Sequence, residues 1–217
     1  MKHRKGENMK RLTVILLVTG LLFTYTACGN KQQTDANATE FETEMETEVM
    51  IPIADANNIL NKVWDNYESV DTDGNMYNDK FSVMGGHFES AVMDMPGKYD
   101  LTQTSDLELM YCVPASVVSM IDDAATMVHL MKASTITVGA YHIADSANVQ
   151  TVVEGIKQQT LGNQWLGGFP DDLVIVRIDD QYVVSIVGNA EVVDVFYEEM
   201  LEIYGKQVTV LVKESIR

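Results

Sequence analysis

Few residues in this 217-residue chain have the type and neighbours that do chemistry, and Cys112 is the sharpest of them. A nucleophilic thiol needs a nearby His and an electropositive setting to become thiolate. His87, His129 and His142 are the available imidazoles. Tyr111-Cys112-Val113 is instead an apolar setting in an acidic chain, which raises a thiol pKa, so Cys112 reads as a buried structural cysteine. His129 stands beside Met127 and Met131 and reads as a helix-face residue. His142 follows Tyr141 in a strand pattern and reads as a partly buried, hydrogen-bonded His. The three do not cluster at metal-ligand spacing. Asp122-Asp123 is a carboxylate pair, the raw material of acid–base work. On a helix it reads as the solvated face, and no second pair completes a glycosidase-like site.

Two further segments invite a ligand. Asp71-Thr-Asp73-Gly74-Asn75 with Asp79 groups the oxygen donors that calcium prefers. Aligned as an EF-hand on Gly74, Ser69 falls in the first slot and Lys80 in the last, where a bidentate Glu is required. The stretch therefore reads as turn chemistry. Trp165-Leu-Gly-Gly-Phe169-Pro170 places aromatics on a Gly-rich loop, a pattern that more often plugs a core than forms a ligand platform. No P-loop, G-x-G-x-x-G, G-x-S-x-G or H-E-x-x-H pattern is present. The 13 methionines are dispersed and read as core filler. No catalytic, cofactor-binding or metal-ligating residue is assigned, and no cofactor is expected.

The formal net charge is −17, which disfavours a nucleic-acid partner because phosphate binding needs a basic patch. Two cysteines exclude a disulfide framework. The first residues break the acidic pattern. Lys2, Arg4, Lys5, Lys10 and Arg11 make a basic start with Glu7 the one acid, and Met9-Lys10-Arg11 offers an alternative initiation site. Leu12 to Phe23 is apolar but shorter than the about 20 residues a span requires. Thr26-Ala27-Cys28-Gly29 follows. Basic, apolar, then small residues is the order of an export signal. Small residues around Cys28 resemble the lipobox of bacterial lipoproteins, with Tyr25 where Leu is usual. The resemblance implies a diacylglyceryl group on the Cys28 thiol, cleavage after Ala27, and attachment to a membrane by lipid. Two acyl chains suffice for stable anchoring.

Residues 1–27 are thus expected to be a lipoprotein signal peptide. Residues 28–54, with the acidic run Thr39-Glu-Phe-Glu-Thr-Glu-Met-Glu-Thr-Glu48, are expected to be a disordered tether, because dense like charges repel and bury no core. Residues 55–217 are expected to be a single α+β domain. Asp55 caps a helix carrying Ile59, Leu60, Val63, Trp64 and Tyr67. Pro114 opens a second helix whose inner stripe runs Val117, Val118, Ile121, Ala124, Ala125, Val128, Met131. Residues 135–143 read as a strand, and Asp145 or Ser146 caps a helix that stops near Gly162. Residues 173–178 and 182–187 read as a hairpin around Asp179-Asp180. Asn189 caps a helix stopped by Gly205, and residues 207–213 alternate as a last strand. The order β-α-β-β-α-β predicts a ferredoxin-like split βαβ sheet with both helices on one face and two additional N-terminal helices.

The residues from about 55 to 216 also resemble a bacterial lipoprotein family of unknown function, numbered four-three-five-eight. The carriers are Met84-Gly85-Gly86, Pro96-Gly97-Lys98-Tyr99-Asp100, Ile121-Asp122-Asp123-Ala124-Ala125, Gln164-Trp165 through Phe169-Pro170 into Leu173-Val-Ile-Val176, and Tyr182-Val-Val184. The resemblance implies an exported, lipid-anchored protein and brings no catalytic residues. The leading expectation is a non-catalytic binding or assembly module of the cell envelope, held to the membrane through Cys28 and engaging an envelope protein partner. The last strand, at a sheet edge, is the candidate pairing surface. The alternatives are a small envelope enzyme acting on peptide or glycan, with Cys112, His87, His142 or Asp122 converging in a cleft, and a small-ligand or cation-binding lipoprotein with a pocket near Trp165 and Phe169.

Overall fold

Leu173-Val-Ile-Val176 is apolar at every position, and a strand sends alternate side chains to opposite faces, so this segment needs cover on both. The computed structural model describes residues 50–67, 82–165 and 168–217 and contains that cover. Cys28, the rest of 28–49, the stretch 71–79 and Leu166-Gly167 lie outside the described residues. The domain is mixed α+β, with an eight-stranded antiparallel sheet between two layers of helix. The strands are β1 (Val83–Gly85), β2 (Val92–Met93), β3 (Gly97–Lys98), β4 (Ile121–His129), β5 (Ile136–Ile143), β6 (Asp172–Ile178), β7 (Tyr182–Gly188) and β8 (Val208–Ser215). The helices are α1 (Ala56–Asn66), α2 (Ser105–Tyr111), α3 (Ala115–Val118), α4 (Val149–Gly162) and α5 (Ala190–Tyr204). Among the described residues no helix is long and apolar enough to cross a membrane.

The strand order is β2-β1-β4-β5-β7-β6-β8, with β3 pairing β4 beyond the end of β1. Handedness explains where the helices go. The β5-α4-β6 crossover passes over β7, and the β7-α5-β8 crossover passes over β6 in the same lateral direction. β7 runs opposite to β5, so two right-handed crossovers must place α4 and α5 on opposite faces. They do: Val152, Val153 and Ile156 of α4 pack with Leu173 and Ile175, whereas Val193, Phe196 and Met200 of α5 pack with Val174, Val176 and Ile178. The expectation of both helices on one face is thereby corrected. It assumed that the last strand returns beside the first, a place that β4 occupies.

The predicted helix over 114–131 is corrected as well. Only α3 is helical there, and β4 follows at once. Ala125 and Met127 face α1 and α5, while Ala124 and Val128 face the other layer. A strand buried on both faces is apolar nearly throughout, and such a run satisfies a helical stripe by coincidence. Elsewhere the predicted elements recur within a few residues. Asp55 caps α1 by accepting from the Asn58 N–H at 2.7 Å, and Gly205 ends α5 with φ +50°. The chain joins the domain a little before Asp55. Ile51 and Ile53 pack on the core, and Gln207 both donates to and accepts from the Ile51 backbone at 3.1 and 2.7 Å.

Candidate functional site

Among the described residues, the candidate reactive side chains fall chiefly in three places. The first is one end of the sheet. The β4–β5 register shifts between Ile121 and Asp123, so Asp122 is the extra residue of a bulge. The bulge lets both carboxylates act on that end. Asp122 bonds His142 Nδ1, while Asp123, opposite His142 in register, accepts the Ala56 N–H at 2.7 Å. Asp55 and Asp123 thus both serve the N-terminus of α1, where the helix dipole favours negative charge. Lys98 of β3 lies 3.2 Å from Asp55 and 3.8 Å from Asp123. Partial burial pushes the Asp55 carboxyl upward, but the Asn58 N–H and the Lys98 ammonium outweigh it and hold it below its ordinary value. The hydrogen bond to Asp55 in turn holds Lys98 above its ordinary value. The Tyr182 ring packs against His142 at a tilt of 57° with centroids 4.8 Å apart, and its hydroxyl is raised by burial and then by Asp123, Asp55 and Asp122.

An aspartate that orients a histidine is the base half of a nucleophile–base pair. The ring tilted against this imidazole is a phenol pushed further from ionisation, so the end of the sheet holds an oriented imidazole beside a weak acid. Asp122-Asp123 therefore lies in an ion cluster at a strand bulge, which corrects its placement on a solvated helix face. Nothing in the residue spacing announces this: the pairing with His142 exists only once 121–129 is a strand in this register.

The second place is the turn between β1 and β2. His87 is buried and its Nδ1 accepts the Glu89 N–H at 3.4 Å. Its Nε2 therefore carries the proton toward Asp106 on α2, 3.2 Å away. Tyr99 and Tyr111 follow edge-on, each step 5.8 Å between centroids. Tyr111 donates to the Gly86 carbonyl at 3.2 Å, and burial pushes its hydroxyl up to about 12. These groups tie the turn to α2. Asp106 was not singled out by sequence reasoning, which predicted no helix at 105–111, and nothing in the residue pattern pointed to it.

The third place is Cys112, which ends α2 in the left-handed conformation at φ +57°. The thiol is buried and accepts from Asn163 Nδ2 at 3.4 Å, and burial pushes it up to about 11. Its hydrogen-bonding neighbours are Asn163 and Thr160 of α4, so the thiol is set apart from His87 and from His142. His129 is the last residue of β4, not a helix-face residue, and its Nδ1 accepts the Met131 and Lys132 N–H groups at 3.3 Å. Trp165 packs partly buried on the core, whereas Phe169 is exposed. Among the described residues no three His, Cys, Asp or Glu side chains are grouped to hold a metal ion.

The surface carries an open groove of about 500 Å³ between α3 and α4, lined by Ser116, Gln150, Glu154 and Gln158. A smaller one of about 270 Å³ lies at the end of α5, lined by Met50, Ile51, Tyr204 and Gln207. Neither contains the His142–Asp122 pair. No family model matches the chain, no curated protein matches it, and no solved structure matches it.

Proposed function

We propose that the protein is a lipoprotein held on the extracytoplasmic face of the cell membrane by a diacylglyceryl group on Cys28. Its α+β domain serves there as a non-catalytic binding or assembly module with an envelope protein partner. The anchor reading rests on the order of segments: five basic residues, the apolar run to Phe23, then Ala27-Cys28-Gly29. The resemblance to a family of exported lipoproteins fits the same reading. The observation that carries the binding role is the use of the reactive groups. Asp55 and Asp123 cap α1, His87 and Asp106 staple a turn to α2, and Cys112 is buried against Asn163. The β5-α4-β6-β7 unit is read as a split βαβ of the ferredoxin-like kind, extended by β4 on one side and by β8 on the other.

Labelling growing cells with palmitate tests the anchor. Label is expected on the natural protein and absent after Cys28→Ser, and a labelled Cys28→Ser protein would overturn the proposal. One observation favours a second reading, a small envelope enzyme acting on peptide or glycan: the half-exposed Asp122 orients the largely buried His142 at one end of the sheet. Envelope peptide or glycan turnover that His142→Gln abolishes, with folding intact, would establish that reading over the first.

A further inference from the structure

The sheet edge formed by β1 and β2 displays apolar side chains in water. Phe88 is 68% exposed, Val92 40%, Met93 55% and Met95 43%, all within eight residues. Leu109, 73% exposed, stands one turn beyond Asp106, the residue that the buried His87 binds to join this segment to α2. Monomeric proteins seldom expose apolar side chains so densely without a use for them.

The backbone beneath them is fixed. The chain leaves β1 at Gly85, returns as β2, and crosses over itself as β3. A Cβ on Gly85 would lie 2.0 Å from the Gly97 nitrogen, and one on Gly97 would lie 2.6 Å from the Gly85 carbonyl. Asp94, between Met93 and Met95, holds the left-handed conformation at φ +63°. Its N–H donates to the Val83 carbonyl at 2.8 Å, and its own carbonyl accepts from Trp64 Nε1 at 3.0 Å. A non-glycine residue held there costs about 1–2 kcal/mol, so the conformation is enforced by its surroundings. A backbone fixed in this way has little further freedom to lose on docking.

Charge selects the occupant. From Phe81 to Met131 the chain has one Lys or Arg, Lys98, and that side chain is engaged by Asp55 and Asp123. In sequence, Glu89 and Asp94 lie among the exposed apolar residues and Glu108 adjoins Leu109, while the next basic residues, Lys80 and Lys132, flank the ends of the stretch. An acidic rim repels an anionic lipid surface and repels a second copy of itself. It suits an apolar strip flanked by Lys and Arg. We propose that the β1–β2 edge is the docking surface of the domain and that it takes a basic amphipathic segment of a partner protein. The inference rests on the binding-module reading and names the chemistry of its partner.

The test uses the full chain in phosphatidylcholine nanodiscs, with empty nanodiscs as background. The probes are a helical Leu/Lys peptide and a Leu/Glu peptide of the same apolar pattern, followed by fluorescence anisotropy. The Leu/Lys peptide is expected to bind, more weakly at high salt, and the Leu/Glu peptide not to bind. Phe88→Ser and Met93→Ser are each expected to weaken binding about tenfold, and Glu89→Lys with Glu108→Lys at least as much. Val210→Ser, on the other edge, is expected to leave binding unchanged. All these side chains are at least partly exposed, so unchanged melting curves confirm folding. Equal loss for Val210→Ser, no effect of Phe88→Ser, equal binding of both peptides, or the domain's own adsorption to phosphatidylserine vesicles would each overturn the proposal. Palmitate labelling at Cys28 is independent of these outcomes, so a wrong docking surface and a wrong anchor give different results.

Discussion

The two edges of the sheet solve the same problem in opposite ways. A free edge strand offers unpaired backbone groups to any passing strand, and proteins blunt such edges with charge, bulges or brevity. β8 is long and uses the first two. Its register with β6 shifts between Ile175 and Val176, and Lys213 and Glu214 are tied to Asp194 and Lys157. Lys206, Lys213 and Arg217 mix with acids there. Among the described residues the β1–β2 edge relies on brevity and on the acids Glu89 and Asp94, and puts Phe, Val and Met where β8 puts ion pairs. The chain also enters the domain beside β8, where Ile51 meets Gln207. Six strand spacings of about 4.8 Å, roughly 29 Å, separate that entry from β2. One edge is thus built to be left alone beside the entering chain, and the other to be covered.

The comparison breaks first at its glycines. Gly85→Ala drives a Cβ into backbone, and overpacking against atoms that cannot rotate away is expected to cost about 3 kcal/mol. The counterpart near β8, Gly205→Ala, meets nothing within 4 Å and carries only the backbone penalty of its φ +50°, ψ −120° conformation, about 1–2 kcal/mol. Thermal melts of the two variants check the contrast, and equal costs would remove it. Trp64→Phe deletes the hydrogen bond to the Asp94 carbonyl and is expected to cost about 1 kcal/mol, with faster amide exchange confined to the β2 segment. An equal exchange increase across the whole sheet would show that the bond supports the fold at large and not the edge.

A smaller effect should follow acid. Asp55 has a folded-state pKa below its ordinary value of 3.8, so its contribution is complete above that value and is lost as pH falls through the lower one. Asp55→Asn keeps a side-chain oxygen for the Asn58 N–H but loses the charge beside Lys98 and the helix dipole, so it is expected to lower stability at neutral pH by up to about 1 kcal/mol and to match the natural protein once the carboxyl is protonated. Denaturant midpoints across that range check the sign, and a gap that widens in acid contradicts it. The smallest effect belongs to the protected edge: Val210→Ser is expected to stay within about 0.5 kcal/mol by chemical denaturation. A larger loss would mean that β8 packs more than its exposure implies.

The C-terminal half of the fold was legible because each element there carries its own local signal. Apolar runs bounded by Asp145, Asp179-Asp180, Asn189 and Gly205 located β5 to β8 and their helices within a few residues. The edge taken by β8 was not legible, since a right-handed crossover is permitted to either side and only the presence of β4 decides. β4 itself was hidden because burial on both faces imitates a helical stripe. The site suffered with it: Asp122 and His142 are twenty residues apart, and their meeting depends on one bulge. The glycine crossing of β1 and β3 left only Gly85, Gly86 and Gly97 in the sequence, and single glycines do not say what backbone they approach.

Backbone hydrogen exchange on the full chain, with and without the Leu/Lys peptide, compares the edges directly. The account predicts slowed exchange across Phe88 to Met95 and unchanged exchange across Val208–Ser215. Protection at Val208–Ser215 with none at Phe88 to Met95 would contradict it and assign docking to the β8 edge.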